Sequence, residues 1–337
     1  MTDIGLIGWG IDTPQKVLDY HAIAERSGIP PEVIRDKFGI NRLYEAGPED
    51  QASQMSERAA RHALEVAGLT PADLDLIVYH GSEYKDHIVW NAATKIQQRL
   101  GAANAYAFEV YSLCAGAGVA LNMVGPMMQA DPQLRHVLLV AASREGDLLD
   151  YTNQRGRFMF NFGAGAGALI LRRDHPINRL VGTAVITDPT LADTVVMPAG
   201  GSLHPPSERT LRENMHVLDV PDVDYMRDRL GEVSLPNFIE VIRRAVEKGG
   251  FTLQDIGFLG ITHMKPSFHR EILDRLGLQP EQAVYLSDYG HIQSADQAIA
   301  LYEGLRQGKI KDGDLVVLAG AGTGYTWSAA AFRWGAG

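Results

Sequence analysis

The residue best suited to covalent chemistry in this chain is its only cysteine, Cys114. It follows a predicted strand, Ala105–Val110, and precedes the small residues 115–118 and an apolar helix, Val119–Met128. This order predicts a sulfur at the start of a buried helix, where free backbone N–H groups and the helix dipole favour the thiolate. Cys114 could therefore be a nucleophile. The alternative is a small buried hydrophobe, and other residues have to decide between the two.

Composition and charge exclude several classes of protein. Among 337 residues, 31 Lys and Arg face 41 Asp and Glu, and a net charge of −10 argues against a nucleic-acid partner. One cysteine excludes an internal disulfide and a site of several thiolates, as expected in a reducing compartment. The N-terminus has no secretory pattern, and apolar runs such as Val137–Ala142 are too short to cross a bilayer, so we expect a cytoplasmic protein with no membrane partner.

Short β-branched runs alternate with amphipathic helical patterns, which predicts an α/β fold. The predicted buried strands are Ile4–Trp9, Leu76–Tyr79, Val137–Ala142, Ala166–Leu171, Phe258–Ile261 and Leu315–Ala319. Two segments, 69–77 and 136–141, have echoes at 251–259 and 314–319 with nearly the same offset. We therefore expect two duplicated halves, residues 1–173 and 174–337.

Several motifs together resemble the β-ketoacyl-acyl carrier protein synthase III family of the thiolase superfamily. They are Lys37-Phe38-Gly39-Ile40 with Arg42, Tyr111 to Gly116 around the cysteine, Arg155-Gly156, Phe162 to Leu169, Pro198 to Ser202 and Gly322 to Trp327. The resemblance implies a five-layered α-β-α-β-α fold built from two similar halves. It also implies that a cysteine takes an acyl group from coenzyme A, and that the acyl group then condenses with a malonyl thioester.

The resemblance assigns catalytic roles to three side chains and one backbone site. Cys114 matches the nucleophile, and His263 matches the catalytic histidine at a strand end. His291 stands where the family has asparagine, in the helix-opening segment 290–295. Two histidine N–H donors could stabilise the enolate formed by decarboxylation. The backbone near Gly322 and the Cys114 amide would hold the oxyanion.

The histidine at position 291 leaves a second reaction open. Unlike an amide, an imidazole can titrate near neutral pH or serve as a base. Simple acyl transfer to an alcohol or amine is therefore an alternative to condensation.

Other positions concern the substrates. Lys37 and Arg155 keep the positive charge expected near the phosphates of coenzyme A. The resemblance implies a coenzyme A thioester as substrate and no metal or redox cofactor. The predicted helix Pro236–Lys248 displays Arg243, Arg244 and Lys248, a candidate dock for an acidic carrier protein.

Relatives are homodimers whose partner lines the acyl tunnel, and Val89 matches the family position that gates chain length. Its alternative is an ordinary core valine. Glu83 lies where hydroxymethylglutaryl-CoA synthases, with the same fold, place a catalytic base, so condensation without decarboxylation is a second alternative. A third is an inactive homologue with a structural role, which would not acylate Cys114.

Overall fold

The computed structural model of the chain describes residues 2–336. Its strands are β1 Ile4–Asp12, β2 Lys16–Asp19, β3 Arg42–Glu45, β4 Leu76–Tyr79, β5 Tyr106–Glu109, β6 His136–Ser143, β7 Gly165–Arg173, β8 Ile177–Thr187, β9 Ile256–Ile261, β10 Leu315–Gly322 and β11 Thr326–Ala336. Its helices are α1 Tyr20–Ser27, α2 Pro31–Asp36, α3 Ala52–Ala67, α4 Ala92–Leu100, α5 Gly116–Ala130, α6 Glu208–Arg212, α7 Val223–Lys248, α8 Pro266–Leu276 and α9 Asp296–Arg306. The six strands expected from buried apolar runs are all confirmed.

Nine strands form one mixed sheet in the order β5-β4-β6-β7-β1-β8-β11-β10-β9. In its first part β4 and β6 are parallel, and β7 runs antiparallel to β6 and to β1. In its second part β9 and β10 are parallel, and β11 runs antiparallel to β10 and to β8. The two sequence echoes lead into β4 with β9 and into β6 with β10. The division at residue 173 falls between β7 and β8 and stays a prediction.

Helices cover and separate the two parts of the sheet. One outer layer, α3 with α4, packs on the first part, and the other, α7 with α8, packs on the second. Between them α5 and α9 contact strands of both parts and form the central core. This is the five-layered α-β-α-β-α arrangement that the resemblance implied. Cys114 lies just before α5, and the segment 290–295 leads into α9.

The central layer explains an apolar segment that the sequence analysis underestimated. Leu113–Ala130 is long and apolar enough to span a membrane by composition, which corrects the expectation that every apolar run is too short. Just over half of the segment, 56%, is buried inside the protein. A helix in contact with two layers of strands has few positions left for polar side chains, so its composition follows from its place in the core.

The predicted helix Pro236–Lys248 is longer than expected. In the structure α7 begins at Val223, and Pro236 lies inside it. The Asp222 side chain caps its start by accepting a hydrogen bond from the Tyr225 N–H. Proline removes one backbone hydrogen bond, yet burial of Phe238 and Ile242 holds the following turns on the sheet.

Candidate active site

Cys114 lies in a sharp turn between β5 and α5. Residues 113–115 form a single 3₁₀ turn, and Leu113 adopts a left-handed backbone with φ of 48°. The start of α5 packs closely because Gly116 has no side chain: a Cβ there would lie 2.5 Å from the His80 carbonyl oxygen. As predicted from the sequence, the cysteine is buried, with 3% of its surface exposed, at the start of a helix.

A chain of three side chains begins at this sulfur. The Nε2 atom of His291 lies 3.0 Å from Cys114 Sγ, and its Nδ1 atom lies 2.5 Å from Asp296 Oδ2. Asp296 is fully buried, and its two carboxylate oxygens also accept the backbone N–H groups of His263 and Ile292. Because the carboxylate can only accept, Nδ1 of His291 carries a proton and Nε2 is turned to the sulfur. Cys114, His291 and Asp296 therefore have the arrangement expected of a nucleophile, a base and a carboxylate that orients the base.

The backbone of the segment 161–163 holds His291 in place. The His291 N–H donates to the Asn161 carbonyl at 2.7 Å, and the Gly163 N–H donates to the His291 carbonyl at 2.9 Å. The Phe162 ring packs edge-on against the imidazole, with 5.3 Å between ring centroids. A Cβ at Gly290, where φ is 68°, would overlap the Asn161 carbonyl oxygen. Only glycine permits this close approach.

The electrostatics of the site favour a charged His291. Burial opposes protonation, but the neighbouring Cys114 and Asp296 charges and hydrogen bonds to both raise the pKa of His291 well above its ordinary value. A protonated imidazole beside the sulfur stabilises its thiolate form. The direction of this pKa shift therefore favours an imidazolium at His291, 3.0 Å from Cys114 Sγ.

His263 is placed differently from the sequence expectation. Its Nε2–H donates to the Gly39 carbonyl at 3.1 Å, and its Nδ1 accepts from the Asn161 amide at 2.9 Å. Burial lowers the pKa of His263 to about 4, so the ring is neutral and has one N–H. That N–H is directed to Gly39 and not to the sulfur. The expected pair of imidazole donors is therefore not assembled here, and the enolate-stabilising role of His263 stays a prediction.

Two residues of this site, one behind His291 and one at the sulfur, were missed by the sequence analysis. Asp296 lies five positions after His291, at the first turn of α9, where an acidic residue is common enough to pass unnoticed. Gln293, in the same segment, places its side-chain oxygen 2.6 Å from Cys114 Sγ. A buried carboxyl, Glu145, accepts a hydrogen bond from Ser82, and burial raises its pKa.

The strand end at Gly322 meets the backbone of the nucleophile. A Cβ built on Gly322 would lie 2.7 Å from the Ser112 carbonyl and 3.0 Å from the Cys114 amide nitrogen. This close approach is consistent with the role predicted for Gly322 beside the oxyanion, which stays a prediction.

Substitution of Gly322 by alanine should slow acylation of Cys114 by about 100-fold, because the added methyl group displaces the Cys114 N–H from the oxyanion position. The measurement is the rate at which an acyl-CoA adds mass to the intact protein. Gly231→Ala is the matched control, since a Cβ at this position in α7 would have nothing within 4 Å. An unchanged rate in a Gly322→Ala protein of unchanged melting temperature would contradict this assignment.

The residues predicted to bind coenzyme A are on the surface. Lys37 is exposed at the end of α2, and the Arg155 guanidinium lies 2.6 Å from Asp219. Neither contacts Cys114. Their phosphate-binding role stays a prediction, and Arg155 would have to exchange Asp219 for a phosphate.

The predicted carrier dock is charge-balanced within its own helix. Arg243 pairs with Glu240 and Glu247, and Arg244 pairs with Glu240. Lys248 instead reaches the Thr183 carbonyl at 3.5 Å. Little positive charge is left free on this surface, and its use as a dock stays a prediction.

Glu83 and Val89 lie on the exposed loop between β4 and α4. The Glu83 carboxylate makes no hydrogen bond to Cys114 or His291 within the described residues. Val89 is fully exposed, with φ of 51°, and its neighbour Ile88 is 78% exposed. The alternative of a core valine at position 89 is therefore wrong.

The chain is similar to known proteins over nearly its whole length. Residues 108–189 match the family model described as 3-oxoacyl-[acyl-carrier-protein (ACP)] synthase III, and residues 246–334 match the model of its C-terminal part. A β-ketoacyl-[acyl-carrier-protein] synthase III of Symbiobacterium thermophilum is 30% identical over 98% of both chains.

Two solved structures have the same fold. The 3-oxoacyl-(acyl carrier protein) synthase III of Pseudomonas aeruginosa superimposes with a TM-score of 0.85 and 25% identity, covering 99% of this chain and 98% of that one. A priming β-ketosynthase from a polyketide biosynthetic pathway also gives 0.85 and 25%, covering 99% and 97%.

Proposed function

The chain belongs to the 3-oxoacyl-[acyl-carrier-protein] synthase III family of condensing enzymes, and from this premise we propose that Cys114 is its acyl-accepting nucleophile. The observation that carries the proposal is the hydrogen-bonded chain from Cys114 through His291 to the buried Asp296. Coenzyme A thioesters and malonyl-type thioesters on acyl carrier protein or coenzyme A are its proposed substrates. The proposed steps use no metal or redox cofactor.

Acylation follows from the charges at the sulfur. The Cys114 thiolate attacks the carbonyl carbon of an acyl-CoA, and the Cys114 amide with the backbone near Gly322 binds the resulting oxyanion. Collapse of the tetrahedral intermediate expels the coenzyme A thiolate, which takes the proton from His291 Nε2. The product is an acyl-cysteine beside a neutral His291.

Condensation then forms a carbon–carbon bond. The malonyl thioester loses CO₂, and its enolate carbon attacks the acyl carbonyl and releases the Cys114 thiolate. His291 and His263 are the proposed donors to the enolate oxygen. After acylation the one proton of neutral His291 is on Nδ1, facing Asp296, so Nε2 must take a proton from solvent before it can donate. Because His263 donates to Gly39 in this structure, the second donor requires its ring to turn.

A second candidate function is acyl transfer to a hydroxyl group. The bond from His291 Nδ1 to Asp296 favours it, since this bond makes His291 a base and not only an N–H donor. His291 would take the hydroxyl proton as the oxygen attacks the acyl-cysteine, and the released thiolate would again face an imidazolium. No corresponding observation favours Glu83 as the base of a non-decarboxylative condensation.

The proposed enzyme is a cytoplasmic homodimer. Strand β5 lies at one edge of the nine-stranded sheet, and its Tyr106 is half exposed. The exposed Ile88 and Val89 precede the same region of the chain. A second copy seated there would cover an unpaired strand edge and this apolar loop tip, which supports a partner-facing role for Val89.

Intact-mass spectrometry tests the proposed function. Incubation with a panel of acyl-CoAs should add one acyl group to the wild-type protein and none to Cys114→Ala. A malonyl thioester should then discharge the acyl-enzyme with release of CO₂, whereas discharge by a hydroxyl acceptor without CO₂ would identify the second candidate. An equal mass gain in Cys114→Ala would refute the nucleophile assignment, and no gain in the wild type with any acyl-CoA would favour the inactive homologue.

A further inference from the structure

Gln293 is a second polar side chain at the sulfur, and the steps above do not use it. It begins the short turn Gln293–Ala295 between His291 and α9. Only 2% of its surface is exposed, and its Oε1 atom lies 2.6 Å from Cys114 Sγ. Its Nε2 atom is buried without any hydrogen-bond partner among the described residues. A buried amide that leaves its N–H groups unpaired costs free energy unless another state of the site uses them.

The backbone explains how the amide is held at the sulfur without further polar contacts of its own. Gln293 has a φ of 52°, in the left-handed region that non-glycine residues seldom adopt. Its neighbours Ile292, Ser294 and Ala295 are at most 1% exposed, and Ser294 Oγ donates to the His80 carbonyl at 2.6 Å. Packing and the Ser294 bond thus impose the strained conformation, which directs the side chain at Cys114.

The protonation state of Cys114 decides which atom of the Gln293 amide can contact the sulfur favourably. The contact of Gln293 Oε1 with Cys114 Sγ fits a thiol, whose S–H can donate to this oxygen, and does not fit the thiolate that an imidazolium at His291 favours. A thiolate has no proton to donate, and a carbonyl oxygen at that distance would face its negative charge. Rotation of the terminal amide by half a turn replaces the oxygen with Nε2, which has the same shape and carries N–H. The unpartnered nitrogen would then meet the anion.

We propose that Gln293 is a catalytic residue that donates its Nε2–H to the Cys114 thiolate. The thiolate is then stabilised by two donors, the imidazolium of His291 and the amide of Gln293. The same amide accepts the S–H of the thiol through Oε1, so it matches both states of the nucleophile. The inference rests on the proposed function in taking Cys114 as the reacting group.

The titratable groups near the sulfur do not replace the contact between Gln293 and Cys114. His291 faces Cys114 directly, with Asp296 behind it, and Glu145 lies near His291. Burial raises the pKa values of Tyr111 and Tyr325, which are near Cys114, so both rings are neutral at neutral pH. The Gln293 amide does not titrate, and its effect should appear as a constant shift of the thiol titration.

Alkylation of the thiol by iodoacetamide tests the proposal. Cys114 is the only cysteine, so each alkylated molecule gains one known mass, and the rate against pH reports the thiolate. Gln293→Met, of similar length but without N–H, should raise the midpoint by about one pH unit. Gln293→Glu should raise it further, because a carboxylate would face the thiolate. Gln98→Met, on the exposed surface of α4, should keep the wild-type midpoint.

Two outcomes would overturn the proposal. The first is a Gln293→Met protein that melts at the wild-type temperature and keeps the wild-type midpoint. If methionine lowers the melting temperature, Gln293→Asn replaces it, because asparagine tolerates the left-handed backbone and its shorter amide does not reach the sulfur. The second outcome is a Gln293→Asn protein that keeps the wild-type midpoint. Alkylation needs no acyl-CoA, so failure of acylation with an intact midpoint shift would count against the proposed function alone.

Discussion

Replacement of His291 by alanine should reduce the rate of Cys114 acylation by about 1,000-fold. Two effects act together. The thiolate loses the imidazolium 3.0 Å away, and the leaving coenzyme A thiolate loses its proton donor. The rate is measured as acyl mass gained by the intact protein at several acyl-CoA concentrations, which separates a slower acylation step from weaker binding.

The His291→Asn variant distinguishes the two candidate functions. An asparagine amide can still donate N–H to an enolate oxygen, so the preformed acyl-enzyme should still condense with a malonyl thioester. It cannot take a proton, so transfer to a hydroxyl acceptor should be lost. His21→Ala, on the exposed surface of α1, serves as the control. Wild-type acylation in the His291→Ala protein would remove the role assigned to this side chain.

The second large effect is expected from Asp296→Asn, with acylation slowed by about 1,000-fold or more. In the wild type, Oδ2 accepts both the His291 Nδ1–H and the His263 N–H, and Oδ1 accepts the Ile292 N–H. An asparagine has only one acceptor atom. If the asparagine oxygen takes the place of one carboxylate oxygen, the NH₂ group takes the place of the other and faces N–H groups to which it cannot bond. When the NH₂ group faces His291, it donates to Nδ1, and the proton of the neutral ring moves to Nε2. Nε2 then faces the sulfur with an N–H and can no longer accept a proton there.

The effect of Asp296→Asn on the acylation rate should depend on pH. The carboxylate helps to raise the pKa of His291, so the wild-type imidazolium persists as pH rises above the ordinary histidine value. Without the carboxylate this pKa falls, and the charged pair should be lost at lower pH. The ratio of the wild-type acylation rate to that of Asp296→Asn should therefore increase from neutral to alkaline pH.

Two controls separate chemistry from folding in this variant. Asp19→Asn changes an exposed carboxylate that caps α1, where asparagine caps equally well, so it should not alter acylation. Melting temperatures of both variants show whether the fold survives. An Asp296→Asn protein that acylates at the wild-type rate across this pH range would exclude Asp296 as the orienting acid.

The resemblance in the sequence identified the fold and predicted the nucleophile, because both depend on local patterns. Buried apolar runs predicted six strands of the sheet, and the small residues around Cys114 predicted a helix start. Position 291 was also visible as a departure from the family pattern. The partner of His291 was not, because an aspartate five residues later gains its role only when the turn at Gln293 folds back and buries it.

His263 shows the same limit from the opposite direction. Its place at the end of β9 follows from the sequence, since an apolar strand precedes it. The orientation of its ring does not, because the two atoms that fix it belong to Gly39 and Asn161, 224 and 102 residues away along the chain. Hydrogen-bond partners brought together by the tertiary fold therefore decide where its single N–H points.

The sequence by itself determined the buried strands of the sheet and the family resemblance, and it predicted Cys114 as the nucleophile, since hydrophobic periodicity and short motifs are properties of neighbouring residues. Only the tertiary structure decided which side chains share that sulfur. His291 and Gln293 reach Cys114 across 177 and 179 residues of chain, and Asp296 orients the imidazole from inside the core. Such contacts depend on the exact placement of the two chain segments, and they exist only after the central helices pack between the two parts of the sheet.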